Sequence, residues 1–94
     1  MQVSIFGKND CGKCQSTKKM LGFFIPKWGL AEKVTVEFYD MDTTDGMAEG
    51  AFHDVFNSLP TVLIAEGEKT LIRWEGKIPN TDELKVVLQG AAKA

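Results

Sequence analysis

Two short apolar runs separated by a helix-length segment constrain this chain more than any other feature. Val3, Ile5 and Phe6 stop at Gly7 and the polar Lys8-Asn9-Asp10, while Val34-Thr35-Val36-Glu37-Phe38-Tyr39 alternates with period two. Both read as strands. Between them, Gly12 to about Phe24 carries good helix formers, Lys18, Lys19, Met20 and Leu21, before Pro26 and Gly29 break the pattern. A helix-length crossover joins strands in parallel and is right-handed, so the first helix starts at the carboxyl end of the first strand. Open α/β sheets place their sites at that end.

The rest of the chain completes one sheet. Asp40 to Gly46 is a polar turn, and Ala48, Ala51, Phe52, Val55 and Phe56 fall at i, i+3, i+4, i+7 and i+8. That spacing predicts an amphipathic helix with this stripe inward, closed by Asn57-Ser58 before Pro60. Thr61–Ala65 and Thr70–Trp74 flank Gly67 as an antiparallel hairpin, and Gly76 reads as a turn glycine of positive φ. A last helix begins near Asn80, with Glu83 three residues on as in a capping box, and buries Leu84, Val87, Leu88 and Ala91. The expected order is β-α-β-α-β-β-α, an α/β fold with a four-stranded mixed sheet flanked by helices. Ninety-four residues suffice for one core, so residues 1–94 form a single domain.

The chemistry concentrates at the start of the first helix. The only two cysteines, Cys11 and Cys14, are too few and too close to staple a secreted scaffold. Residues three apart at a helix start have Cβ atoms ~5–6 Å apart, and a small adjustment brings them within disulfide reach. Free backbone N–H groups and the helix dipole favour a thiolate there. Cys11, nearer the N-terminus, is the expected nucleophile, and Cys14, one turn inside, is the resolving thiol of thiol–disulfide exchange. Lys13 between them and Lys8 before them would stabilise negative charge on sulfur or attract an anionic thiol substrate. A structural zinc site takes four Cys or His ligands, and His53 is the only histidine, so no metal is expected.

Charge is unevenly spread. Residues 1–33 carry six lysines against two acids, +4, and residues 34–94 carry five cations against eleven acids, −6, which returns the net −2. A balance this close to neutral does not point to nucleic acid. No run approaches the ~18 apolar residues of a membrane span, and the first residues lack a secretory pattern, so the expectation is a monomer in the cytoplasm with no membrane partner. His53 lies off the second helix's stripe and reads as a surface residue without a role. Met41 and Met47 read as packing, and Phe23-Phe24-Ile25-Pro26-Lys27-Trp28 mostly as core, its remainder a docking patch. Either Trp28 or Trp74 could cover the disulfide.

These residues resemble the glutaredoxins of the thioredoxin-fold superfamily over essentially the whole chain. Phe6-Gly7-Lys8-Asn9-Asp10-Cys11-Gly12-Lys13-Cys14 looks like the family's strand, lysine and CxxC segment. Ser58-Leu59-Pro60-Thr61-Val62-Leu63-Ile64 is similar to its Thr-Val-Pro segment, whose proline is cis and faces the disulfide, and Asn80-Thr81-Asp82-Glu83-Leu84 to the start of its last helix. The resemblance implies that Lys8 and Asp82 contact the carboxylates of glutathione as co-substrate, with Thr81 adding backbone or hydroxyl contacts. Helix N-terminal N–H groups suit an anion there. Leu59 would offer its main chain to an extended peptide or to glutathione, beside Pro60. The sequence departs from the pattern at Gly12 and Lys13, which replace proline and an aromatic, and at Pro79-Asn80, which replaces a double glycine.

Three functions follow. The first is a glutaredoxin-like oxidoreductase reducing protein or glutathione mixed disulfides, with no bound cofactor. The second is a thioredoxin-like electron donor to a dedicated partner, itself reduced by a flavoprotein. The third is a module holding an iron–sulfur cluster through Cys11 of two subunits and bound thiols.

Overall fold

A computed structural model describes residues 1–56 and 58–93, the side chains of 91–93 excepted. The strands are β1 (Gln2–Gly7), β2 (Thr35–Asp40), β3 (Thr61–Glu66) and β4 (Lys69–Glu75), and the helices α1 (Gly12–Lys27), α2 (Thr44–Phe52) and α3 (Thr81–Lys93). The sheet order is β2-β1-β3-β4. β1 pairs with β2 in parallel, and the β1–β3 and β3–β4 pairs are antiparallel. The expected order and mixed sheet are therefore present. Among the described residues no helix is long and apolar enough to cross a membrane.

Strand alternation sorts side chains between two cores. Val3 and Ile5 of β1 join Val62, Ile64 and Trp74 beneath Leu21 and Ile25 of α1 and Leu84 and Leu88 of α3. Phe6 and Leu63 point the other way, against Met41 and Val55. Buried positions of α1 are Cys14, Thr17, Leu21 and Ile25, a stripe that fastens the redox segment to the larger core. The expected burial of the Ala91 side chain in α3 and the expected helix end at Asn57 lie outside the described residues.

Three expectations need correction. First, α1 continues through Pro26 to Lys27. Proline in the last turn forfeits one N–H, and the end is closed by Trp28 N–H on Phe24 O, Leu30 N–H on Ile25 O and Gly29 at φ 73°. Of the aromatic run there, Ile25 is core, Phe24 stacks half-buried on Trp28, and Phe23 is exposed beneath the Lys27 ammonium.

Second, the stripe predicted for α2 does not face inward. Ala48, Ala51 and Phe52 are exposed, the helix ends before Asp54 at φ 58°, and Phe56 lies exposed beyond it. The buried face is Gly46 and Gly50, where a Cβ would collide with the Asp40 carbonyl and stand 2.5 Å from Met41 Cε. Backbone, not apolar side chains, seats this helix, and a search for large residues at helical spacing misses such a face. Val55 reaches the second core from the loop instead.

Third, Met47 is exposed, whereas Met41 packs as expected, and His53 is half-buried with its ring 5.8 Å from that of Phe6. Trp74 is buried in the larger core, and Gly76 has the expected positive φ of 70°.

Candidate active site

β1 ends at Gly7 because a side chain there would strike the redox pair: a Cβ would stand 2.6 Å from Cys14 Sγ. That missing side chain lets Cys14 sit at 0% exposure, with the Phe38 ring as a further neighbour of the Gly7 position. The loop then turns sharply. Cys11 N–H donates to Lys8 O at 3.2 Å, as does the Gln15 side-chain amide at 3.5 Å. Cys11 is the N-cap of α1, in extended conformation, and its sulfur accepts from Cys14 N–H at 3.2 Å. Cysteine thus fills a position where an oxygen-bearing side chain ordinarily satisfies the helix's free donors.

Cys11 and Cys14 are disulfide-bonded, with Cα atoms 5.2 Å apart. The two cysteines differ in access: Cys11 is half-buried and Cys14 fully buried. No acid stands in the first turn of α1, so nothing there opposes an anion at the cap. Lys13 is exposed, and its carbonyl accepts from the buried Thr17 hydroxyl at 2.8 Å.

Other expected site residues are placed as follows. The Leu59–Pro60 peptide is cis, and Pro60 O accepts from Gly76 N–H at 2.9 Å. Since Phe6 pairs with Thr61, the next step of the register brings Pro60 level with Gly7, the residue that seats Cys14. Leu59 is half-buried and packs on the second core. Lys8 Nζ is 3.5 Å from Asp42 Oδ1, so its charge already has a neighbour. At α3, Asn80 Oδ1 accepts from Asp82 N–H at 2.9 Å and from Glu83 N–H at 3.2 Å, occupying donors expected to serve an anion. The Thr81 hydroxyl approaches Met20 Sδ at 3.9 Å, which meets α1 six residues past Cys14, about 9 Å along its axis.

The fold therefore collects Lys8, Cys11, Cys14 and Pro60 at one end of the sheet and sets Thr81 against the body of α1, with Asp82 exposed beside it. Reading the sequence missed Gly7, whose signal was a glycine closing a buried strand just before the CxxC. It also missed Asp40 and Asp42, which reach the Lys8–Asp10 loop from the far end of β2; Asn9 Nδ2 donates to Asp40 Oδ2 at 3.3 Å.

Neither a family model nor a curated protein matches the sequence. Solved structures do match the shape. Thioredoxin 1 from the thermophilic eubacterium Thermosipho africanus superposes with a TM-score of 0.76 at 17% identity, over 99% of this chain and 96% of that one. Thioredoxin O2 from Arabidopsis thaliana gives 0.74 at 20% identity, over 95% and 72% of the two chains. Desulfothioredoxin from Desulfovibrio vulgaris Hildenborough gives 0.67 at 22% identity, over 96% and 79%. The chain has the thioredoxin fold. Within that fold the Cys11–Cys14 pair stands at the β1–α1 junction, the carboxyl end of a central strand.

Proposed function

We propose that this thioredoxin-fold chain is a thiol–disulfide oxidoreductase with Cys11 as nucleophile and Cys14 as resolving thiol. The supporting observation is the asymmetry of the pair: Cys11 is half-buried and its sulfur receives an N–H from the first turn of α1, while Cys14, within bridging reach, is at 0% exposure.

In the reduced protein the Cys14 N–H and the helix dipole favour the Cys11 thiolate. This thiolate attacks one sulfur of a substrate disulfide, forming a Cys11–substrate bond and expelling the other half as a thiolate. Cys14, as thiolate, then attacks Cys11 Sγ. The intrachain disulfide forms and the second half leaves, so two electrons pass from the protein dithiol to the substrate.

Protein disulfides or glutathione mixed disulfides are the substrate class, with Lys8, Lys13, Leu59, Pro60, Thr81 and Asp82 as contact residues. A second reading, a donor to a dedicated partner that a flavoprotein reduces, is favoured by two observations. Lys8 is paired with Asp42, and Asp82 N–H is taken by Asn80, so two expected anion contacts for glutathione are engaged.

Cys14→Ser tests the roles. It should still form a mixed disulfide through Cys11 and accumulate it, seen by intact mass, while losing turnover with a protein disulfide. A dead Cys14→Ser toward the attacking reagent reverses the assignment. Turnover of the unmodified protein, driven by glutathione with its reductase or by a flavoprotein reductase with NADPH, separates the two readings.

A further inference from the structure

We infer that Asp42 sets the charge preference of the exchange site by holding the Lys8 ammonium as its own counter-ion. The inference rests on the oxidoreductase reading and adds a residue that touches neither sulfur. Lys8 stands three residues before Cys11, and its backbone carbonyl accepts the Cys11 N–H at 3.2 Å. Its Nζ lies 3.5 Å from Asp42 Oδ1, with both side chains partly exposed at 42% and 59%.

The backbone of Asp42 belongs to a defined turn: its N–H donates to Asp40 Oδ1 at 2.9 Å, and the other Asp40 oxygen accepts from Asn9 Nδ2 at 3.3 Å, so one turn joins the loop before Cys11 to the residue that faces Lys8. The pair belongs to the loop that leads from β1 into Cys11. An anionic disulfide must displace Asp42 to use Lys8, a cationic one is spared a bare ammonium as long as Asp42 neutralises it, and a neutral one senses little of either. Asp42 is thus a positioning residue, acting through Lys8.

Exposed ion pairs are weak, so the sensitive readout is a ratio. Chemically reduced protein is mixed with glutathione disulfide (anionic), hydroxyethyl disulfide (neutral) or cystamine (cationic). Each reaction oxidises the Cys11–Cys14 dithiol to its disulfide and reduces the probe to two thiols, followed as a second-order rate constant. Any change in Cys11 nucleophilicity moves all three rates together and cancels in the ratio.

Asp42→Asn should raise the glutathione-disulfide rate about two- to five-fold relative to the neutral probe, lower the cystamine rate relative to it, and lose both effects in molar salt. In a Lys8→Gln background the same substitution should leave the ratios unchanged. Equal shifts in both backgrounds would mean Asp42 acts by its own field, and overturn the inference, as would an unchanged ratio in Asp42→Asn alone. Failure of the unmodified protein to react with the neutral probe overturns the oxidoreductase reading and this inference with it.

Discussion

The N-termini of α1 and α3 use the same backbone resource for different ends. At α3, the amide oxygen of Asn80 takes the N–H groups of Asp82 and Glu83, and two acids stand in the first turn. At α1, a redox sulfur occupies the cap, its partner's N–H points to it, and the first turn holds no acid. One terminus is saturated for stability, and the other, on the proposed function, keeps its positive end for an anion that appears only on reduction. What distinguishes a reactive helix start from a structural one in this molecule is therefore the charge of the first turn and the identity of the cap.

The largest effect that tests this contrast is expected from Cys11→Ser. Serine is a good N-cap, so the variant should keep α1 and a thermal midpoint close to that of the reduced parent, while disulfide exchange falls to background. A large loss of stability would show that the sulfur holds the fold as well as the chemistry. Asn80→Ala should do the reverse, lowering unfolding free energy in urea by about 1 kcal/mol and leaving the pH profile of Cys11 alkylation unmoved. If that profile shifts, the two termini are coupled and the contrast fails. The smallest effect is expected from Lys13→Glu, which gives α1 an acidic first turn like that of α3. Cys11 alkylation at neutral pH should slow by about two- to five-fold, with the profile displaced to higher pH and the difference fading in salt.

Much of this architecture could be read from residue order. The apolar run of Val3, Ile5 and Phe6, the alternation from Val34 to Tyr39, the helix-length crossover, and the Gly67 hairpin are local signals, and they carried the sheet and the placement of the cysteines. The burial of Leu84 and Leu88 followed from helical spacing in the same way. α2 escaped because its inward face is Gly46 and Gly50, residues with no side chain to count. The Lys8–Asp42 pair joins residues 34 apart whose nearness depends on the parallel register of β1 and β2, and no short motif encodes it. The cis bond before Pro60 was anticipated only through resemblance, because an X-Pro sequence alone does not choose the isomer.

On the proposed oxidoreductase function, the seating of Cys14 behind Gly7 also has a kinetic consequence. A solvent-borne disulfide would be engaged at Cys11, so capture would be bimolecular and depend on how much partner is present. Discharge would be carried out by a thiol already stored in the same chain, at an effective concentration no dissolved thiol would match. How long a captured partner stayed attached would then be a property of this protein rather than of its surroundings.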